Sequence, residues 1–120
     1  MTSPISERDF QSQVIDLARQ IGWRLSHFRP GQTAGGRWAT QMSGDIGYPD
    51  LTLVRGDRLI FAELKTANGQ ASDDQVDWLY ALDNVEYVTA QLWRPHDLDT
   101  IATLLSHRPD PTTDPVGAPV

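Results

Sequence analysis

Three side chains able to do chemistry stand at the two ends of one apolar stretch. In "GYPDLTLVRGDRLIFAELK", residues 47–65, Asp50 opens the run, and Glu63 and Lys65 close it. Between "LTLVR" and "RLIFAELK" lies Gly56-Asp57, a two-residue hairpin signal. With that turn Arg55 pairs with Arg58 and Val54 with Leu59. Continued outward, the register sets Asp50 opposite Glu63. Directly opposed residues share a face, with Cβ atoms about 4.5–5.5 Å apart. Glu63 and Lys65 share that face because strand side chains alternate with period two. Two carboxylates and an ammonium therefore converge at the open end of the hairpin. An odd-length turn would break this register.

Carboxylates that close repel each other, and burial makes the repulsion worse. A divalent cation between them removes it, and an oxygen-only ligand set suits Mg²⁺ or Mn²⁺. A neighbouring lysine can orient a water or stabilise developing negative charge. These parts serve metal-assisted hydrolysis of a phosphodiester. The plainer alternative is an edge salt bridge between Glu63 and Lys65, with Asp50 starting a strand after Pro49. The E-x-K triplet alone favours that alternative; the hairpin spacing with "PD" at its mouth favours the site.

The surrounding elements must hold this spot. Residues 6–21 read as an amphipathic helix, with Phe10, Val14, Leu17, Ala18 and Ile21 at helical spacing, Ser6 as N-cap and Gly22 as stop. "WRLSHF", residues 23–28, alternates like a strand. Residues 29–47 show no periodicity, contain five glycines and read as a long loop. After the hairpin, Ser72 opens a second helix to about Asp83, with Val76, Leu79 and Tyr80 on one face. Residues 85–93 read as a strand and 95–105 as a short last helix. The order α-β-β-β-α-β-α predicts an α/β domain, a central sheet flanked by helices on both faces.

The chain of 120 residues and 13.4 kDa fits one domain, predicted over 1–106, and four of its eight prolines fall in a tail at 107–120 that reads as disordered. With no cysteine there is no disulfide framework and no zinc–thiolate site. No apolar run reaches membrane-spanning length and no signal-peptide pattern is present, so a cytoplasmic protein is expected. The net charge of −6 alone argues against nucleic-acid binding. Its distribution does not: residues 1–66 carry a net of +1 and residues 67–120 a net of −7. Arg19, Arg24, Arg29 and Arg37 fall in an acid-free stretch between Asp16 and Asp45. In the same region His27, Arg29, Arg37 and Trp38 are candidates for DNA contact through phosphates and base stacking, with solvated loop residues as the alternative.

"PD" followed by "ELK" across a hairpin resembles the PD-(D/E)XK nuclease pattern. "SERDFQSQVIDLARQIGW", "HFRPG", "GYPDLTLV", "FAELKTANGQASDDQVDWLYAL" and "VTAQLWRP" occur in the order of a stand-alone VRR-NUC domain, over about residues 6–105. The resemblance implies a restriction-endonuclease-like fold and Mg²⁺-dependent DNA cleavage, with Mn²⁺ able to substitute. Compact viral members resemble Holliday-junction resolvases, which implies branched DNA as substrate and, for a viral chain, the host cytoplasm as location. It further implies Asp50, Glu63 and the Leu64 main-chain carbonyl as metal ligands, Lys65 as catalytic lysine, Glu7 as an additional acidic ligand and Gln75 as the helical glutamine. The loop before Gly47 is longer than the family's connection.

Glu7 falls on the same azimuth as Val14 and Ala18 on a helical wheel, with Gln11 beside it; the alternative is a first-turn acid favoured by the helix dipole. Gln75 has a structural explanation as well, since Ser72 and Gln75 are spaced as a capping box. A nickase or a flap or duplex nuclease is the alternative function, and an inactive nuclease fold used as a binding module a third. A two-fold homodimer matches the two cuts a four-way junction needs, with Trp78, Leu82 and Trp93 as its expected apolar surface.

Overall fold

The computed structural model describes residues 4–28 and 43–107, and the backbone alone of 31–32 and 38–39. Helix α1 (Glu7–Ile21) starts where Ser6 Oγ accepts the Asp9 N–H at 3.0 Å, and ends at Gly22, whose φ of 108° lets its N–H reach the Ala18 and Arg19 carbonyls. Phe10, Gln11, Val14 and Ala18 form its buried stripe. Strand β1 (Arg24–His27) follows. The segment expected to be a plain loop contains two paired strands, β2 (Gly31–Gln32) and β3 (Trp38–Ala39). Two-residue strands are too short to show a period, which is why the pattern missed them.

The hairpin of β4 (Leu51–Arg55) and β5 (Arg58–Leu64) has the register the Gly56-Asp57 turn predicts, from Arg55 opposite Arg58 out to Leu51 opposite Ala62. Gly56 takes a positive φ of 60°, as such a turn demands. Helix α2 (Asp73–Asp83) carries the chain over to β6 (Val88–Trp93), which runs parallel to β5. A 3₁₀ turn (Pro95–Asp97) and α3 (Leu98–Ser106) complete the domain. The four-stranded order is β1-β4-β5-β6.

Alternation divides the sheet into two chemically different faces. Leu51, Leu53, Ile60, Ala62 and Leu64 join Phe10, Val14 and Ala18 of α1 and Ile101 and Leu105 of α3 in the apolar core. Burying each Leu, Ile, Val or Phe side chain among them is worth roughly 1.5–3 kcal/mol. Trp23 Nε1 donates to the Leu105 carbonyl at 2.9 Å, and the Arg55 and Arg58 guanidinia donate to Leu104, Leu105 and His107 carbonyls. Cations are thereby placed at the negative end of the α3 dipole. The opposite face carries Thr52, Phe61 and Glu63 and is covered by α2. Tyr48 wedges between them: its ring meets Phe61 and Trp78 edge-on at 6.1 and 5.2 Å, and its hydroxyl pairs with Thr52 Oγ1 at 3.1 Å.

Three expectations are corrected here. Helix α2 leaves Gln75, Val76, Trp78, Leu79 and Leu82 half-buried and Tyr80 70% exposed, so Val76 and Leu79 lie on its packed side as expected and Tyr80 does not. Trp93 is buried, because the parallel register sets it beside Leu64 on the core face; with it goes part of the apolar surface expected for a dimer. Residues 85–87 are a turn rather than the start of the strand, with Tyr87 at a φ of 69°. The tail, apart from His107, lies outside the described residues. Among the described residues no helix is long and apolar enough to cross a membrane.

Gly47 is where the entry to the hairpin presses on α2. Its φ is 98°, and a Cβ there would stand 2.6 Å from the Asp74 carbonyl carbon. Gly47→Ala is expected to lower unfolding free energy by about 3 kcal/mol or more in a urea titration, because neither backbone can give way locally.

Candidate active site

Asp50 is tied to both neighbouring strands. Its backbone carbonyl accepts the Phe28 N–H at 2.8 Å, next to the end of β1, and its side-chain Oδ2 accepts the Leu64 N–H at 2.9 Å on β5. The carboxylate is thus held across the mouth of the hairpin, next to Glu63. Glu63 is 1% exposed although it is an acid. Its Oε2 accepts from Gln75 Nε2 at 2.9 Å and lies 3.6 Å from Lys65 Nζ. As a carboxylate oxygen its Oε1 is buried with no donor. Burial above all, then the charge of Asp50 and, once Glu63 is protonated, a hydrogen bond to the Asp50 side chain, push the Glu63 carboxyl out of the ordinary carboxylate range to about 8, against an opposing pull from Lys65.

A buried carboxylate oxygen without a partner is costly. In the metal-free chain a proton relieves it. A divalent cation does the same work without neutralising the acid, and the donors fit one: Glu63 Oε1, Asp50 and neighbouring main-chain oxygen are all hard ligands. Among the described residues no group of three or more acidic or histidine side chains is close enough to hold a metal ion. A cation held by this pair alone would keep several of its waters, as Mg²⁺ does in sites with one or two carboxylates.

The structure brings Asp50, Glu63, Lys65 and Gln75 together and leaves Glu7 apart. Glu7 is exposed and does not complete a group with the pair. Its azimuth on α1 is that of the buried stripe, yet it stands in the first turn, about 6 Å beyond Gln11 along the axis. Helix α1 also packs on the face of the sheet opposite to Glu63. Gln11, a turn further in, is the buried polar residue of this helix, at 4% exposure. His27 ends β1 half-buried, paired with Leu51, one residue before the Phe28 that binds Asp50. Arg29, Arg37 and the Trp38 side chain lie outside the described residues. Arg19 and Arg24 are exposed.

Arg94 is a contributor that residue types did not point to. Its Nη1 donates to the Thr66 and Gly69 carbonyls, each at 2.7 Å, and the Lys65 N–H donates to the Trp93 carbonyl at 3.0 Å. The turn that follows Lys65 is thus pinned to the end of β6. An arginine after a strand carries no local signal for this; only the parallel register places it beside the turn.

A search of solved structures finds a "VRR_NUC domain protein" with a TM-score of 0.55 and 20% sequence identity, covering 85% of this chain and 87% of that one. The chain has a VRR-NUC-like fold, a restriction-endonuclease-like mixed sheet flanked by helices. No family model matches the sequence, and no curated protein matches it.

The raised Glu63 value has a direct consequence for stability. Between the ordinary value of 4.5 and about 8 the folded chain keeps a proton on Glu63 that the unfolded chain has lost. The native state binds more protons, so stability falls as pH rises through this window and is fully present below it. In metal-free buffer, the stability of the parent relative to Glu63→Gln is expected to decline by a few kcal/mol from about pH 5 to about pH 8, as measured by urea denaturation at several pH values. Parallel pH profiles for the two proteins would show that Glu63 titrates normally.

Proposed function

We propose that the protein is a metal-dependent endonuclease that hydrolyses DNA phosphodiester bonds, with Mg²⁺ as its ion and Mn²⁺ as a substitute. One observation carries the reading: in a VRR-NUC-like fold, a buried glutamate faces an aspartate across a hairpin mouth and keeps one oxygen without a partner. In this reading Asp50, Glu63 Oε1 and the Leu64 main-chain carbonyl hold the ion. When bound, the ion would lower the pKa of a water and stabilise negative charge on the phosphate. Water adds to phosphorus, one P–O bond breaks, and a phosphate monoester and a hydroxyl result. Lys65 holds a fixed positive charge on the same face, next to Glu63 Oε2, where the phosphate would approach. Asp50 stays oriented through the Leu64 N–H, and Gln75 steadies Glu63 from α2. Glu7, exposed and apart from the pair, is given no ligand role in this reading.

Branched DNA is the proposed substrate, with His27, Arg29, Arg37 and Trp38 as contacts and a homodimer as the acting form. Two-fold pairing of sites would match two symmetric cuts. A nickase or a flap or duplex nuclease is the second reading. The inactive-module reading is disfavoured by the convergence of Asp50, Glu63 and Lys65, which a purely structural fold has no reason to retain in this costly form.

Asp50→Ala and Glu63→Ala are expected to lower plasmid nicking in Mg²⁺ by about 10³-fold or more. Lys65→Ala is expected to lose about 10²–10³-fold in turnover while keeping the thermal stabilisation by Mn²⁺. Full activity of Glu63→Ala would refute the site. On substrate, a four-way junction is expected to be cut faster than its component duplex arms, in paired positions, by a particle that light scattering weighs at about twice the chain mass of 13.4 kDa. Equal cutting of junction and arms by a monomer would remove the resolvase reading and leave a general nuclease.

A further inference from the structure

Gln75 makes three hydrogen bonds at once. Its backbone N–H donates to Ser72 Oγ at 3.2 Å, its side-chain Oε1 accepts the Ser72 N–H at 2.9 Å, and its Nε2 donates to Glu63 Oε2 at 2.9 Å. These bonds constrain one another. A primary amide has one accepting end and one donating end. A backbone N–H can only donate, so the Ser72 N–H claims the amide oxygen. The nitrogen is then the end that faces Glu63. A glutamine free to rotate could present either end; this one cannot turn over without giving up its bond from the Ser72 N–H.

The constraint reaches the carboxylate. Oε2 takes the Gln75 N–H and lies near Lys65 Nζ, while Oε1 remains without a hydrogen-bond partner in a buried position. An amide oxygen turned toward Glu63 would repel Oε2 and favour rotation of the carboxylate away from its present pose. The start of α2 is thus a helix cap on one side and a support for the site on the other.

We propose that the Ser72 hydroxyl is a positioning group of the active site: by holding the Gln75 backbone N–H it sets the first turn of α2 in the pose where the Ser72 N–H reaches Gln75 Oε1, which leaves Nε2 to donate to Glu63 Oε2 and so reserves Glu63 Oε1 for the divalent cation. The inference rests on the metal-site reading above. Ser72 touches neither ion nor nucleic acid; it acts through Gln75.

The test compares Ser72→Ala, Ser72→Thr and Ala81→Gly in the full chain. Ala81 is exposed on α2 away from the box, and glycine there weakens the helix without touching the cap. Thermal unfolding is followed across a Mn²⁺ titration, and exchange of the Gln75 side-chain amide protons is followed by NMR in metal-free protein. Ser72→Ala is expected to raise the Mn²⁺ concentration for half-maximal stabilisation about tenfold and to speed Gln75 amide exchange. Ser72→Thr, which caps in the same way, is expected to stay near the parent on both readouts. Ala81→Gly is expected to lower the metal-free melting temperature yet keep Mn²⁺ half-saturation within about twofold of the parent. Equal Mn²⁺ shifts in Ser72→Ala and Ala81→Gly would overturn the proposal by reducing Ser72 to a general stabiliser of α2. So would a Ser72→Ala protein that binds Mn²⁺ like the parent. Failure of the metal-site reading is distinct: there the parent itself gains no stability from Mn²⁺, and the proposal falls with it.

Discussion

The opposition of Asp50 and Glu63 across the mouth of one hairpin is the constraint on which the rest of the structure depends. Two acids at this distance in a buried position are unfavourable, and nothing in the apolar core requires them. They stay where they are because the backbone is committed elsewhere. The Asp50 carbonyl is bound to the Phe28 N–H and its carboxylate to the Leu64 N–H, so Asp50 joins the start of β4 to both adjacent strands. Glu63 lies within β5, flanked on the other side by β6. Neither can withdraw without breaking the sheet, which is held by the packing of Leu51, Leu53, Ile60, Ala62 and Leu64 beneath it.

The two sheet faces divide the labour. The apolar face, covered by α1 and α3, supplies the burial that offsets chain entropy. The other face carries Glu63, which Gln75 reaches from α2, with Lys65 beside it. A site built on strand positions and braced by a helix cap is stiffer than one built on loops. In the proposed site cost and function would coincide at Glu63: burial raises its proton affinity, and the same burial would strengthen its attraction for a cation that displaces the proton. Lys65 opposes this rise in proton affinity without cancelling it.

Much of this was legible in the residues. The Gly56-Asp57 turn determined the hairpin register, and register with period-two alternation was enough to bring Asp50, Glu63 and Lys65 to one spot. The Ser72–Gln75 spacing announced a capping box, and the box is present; the residue that looked either structural or functional contacts both Ser72 and Glu63. What was hidden depended on depth and on neighbours distant in sequence. A helical wheel reports azimuth, so it put Glu7 on the buried stripe but could not say that the stripe ends before it. Helix α2 packs a polar glutamine inward and a tyrosine outward, which defeats a count of apolar residues. Trp93 and Arg94 take their positions from the parallel pairing of β5 and β6, whose register no turn dictates.

The central claim, that Glu63 Oε1 and Asp50 share a divalent cation, is tested most directly by anomalous diffraction from crystals grown with Mn²⁺. The account predicts a manganese peak bonded to Glu63 Oε1 and to Asp50, with Gln75 still on Oε2. A manganese ion bound elsewhere, with Glu63 protonated against Asp50 at the same Mn²⁺ concentration, would contradict it.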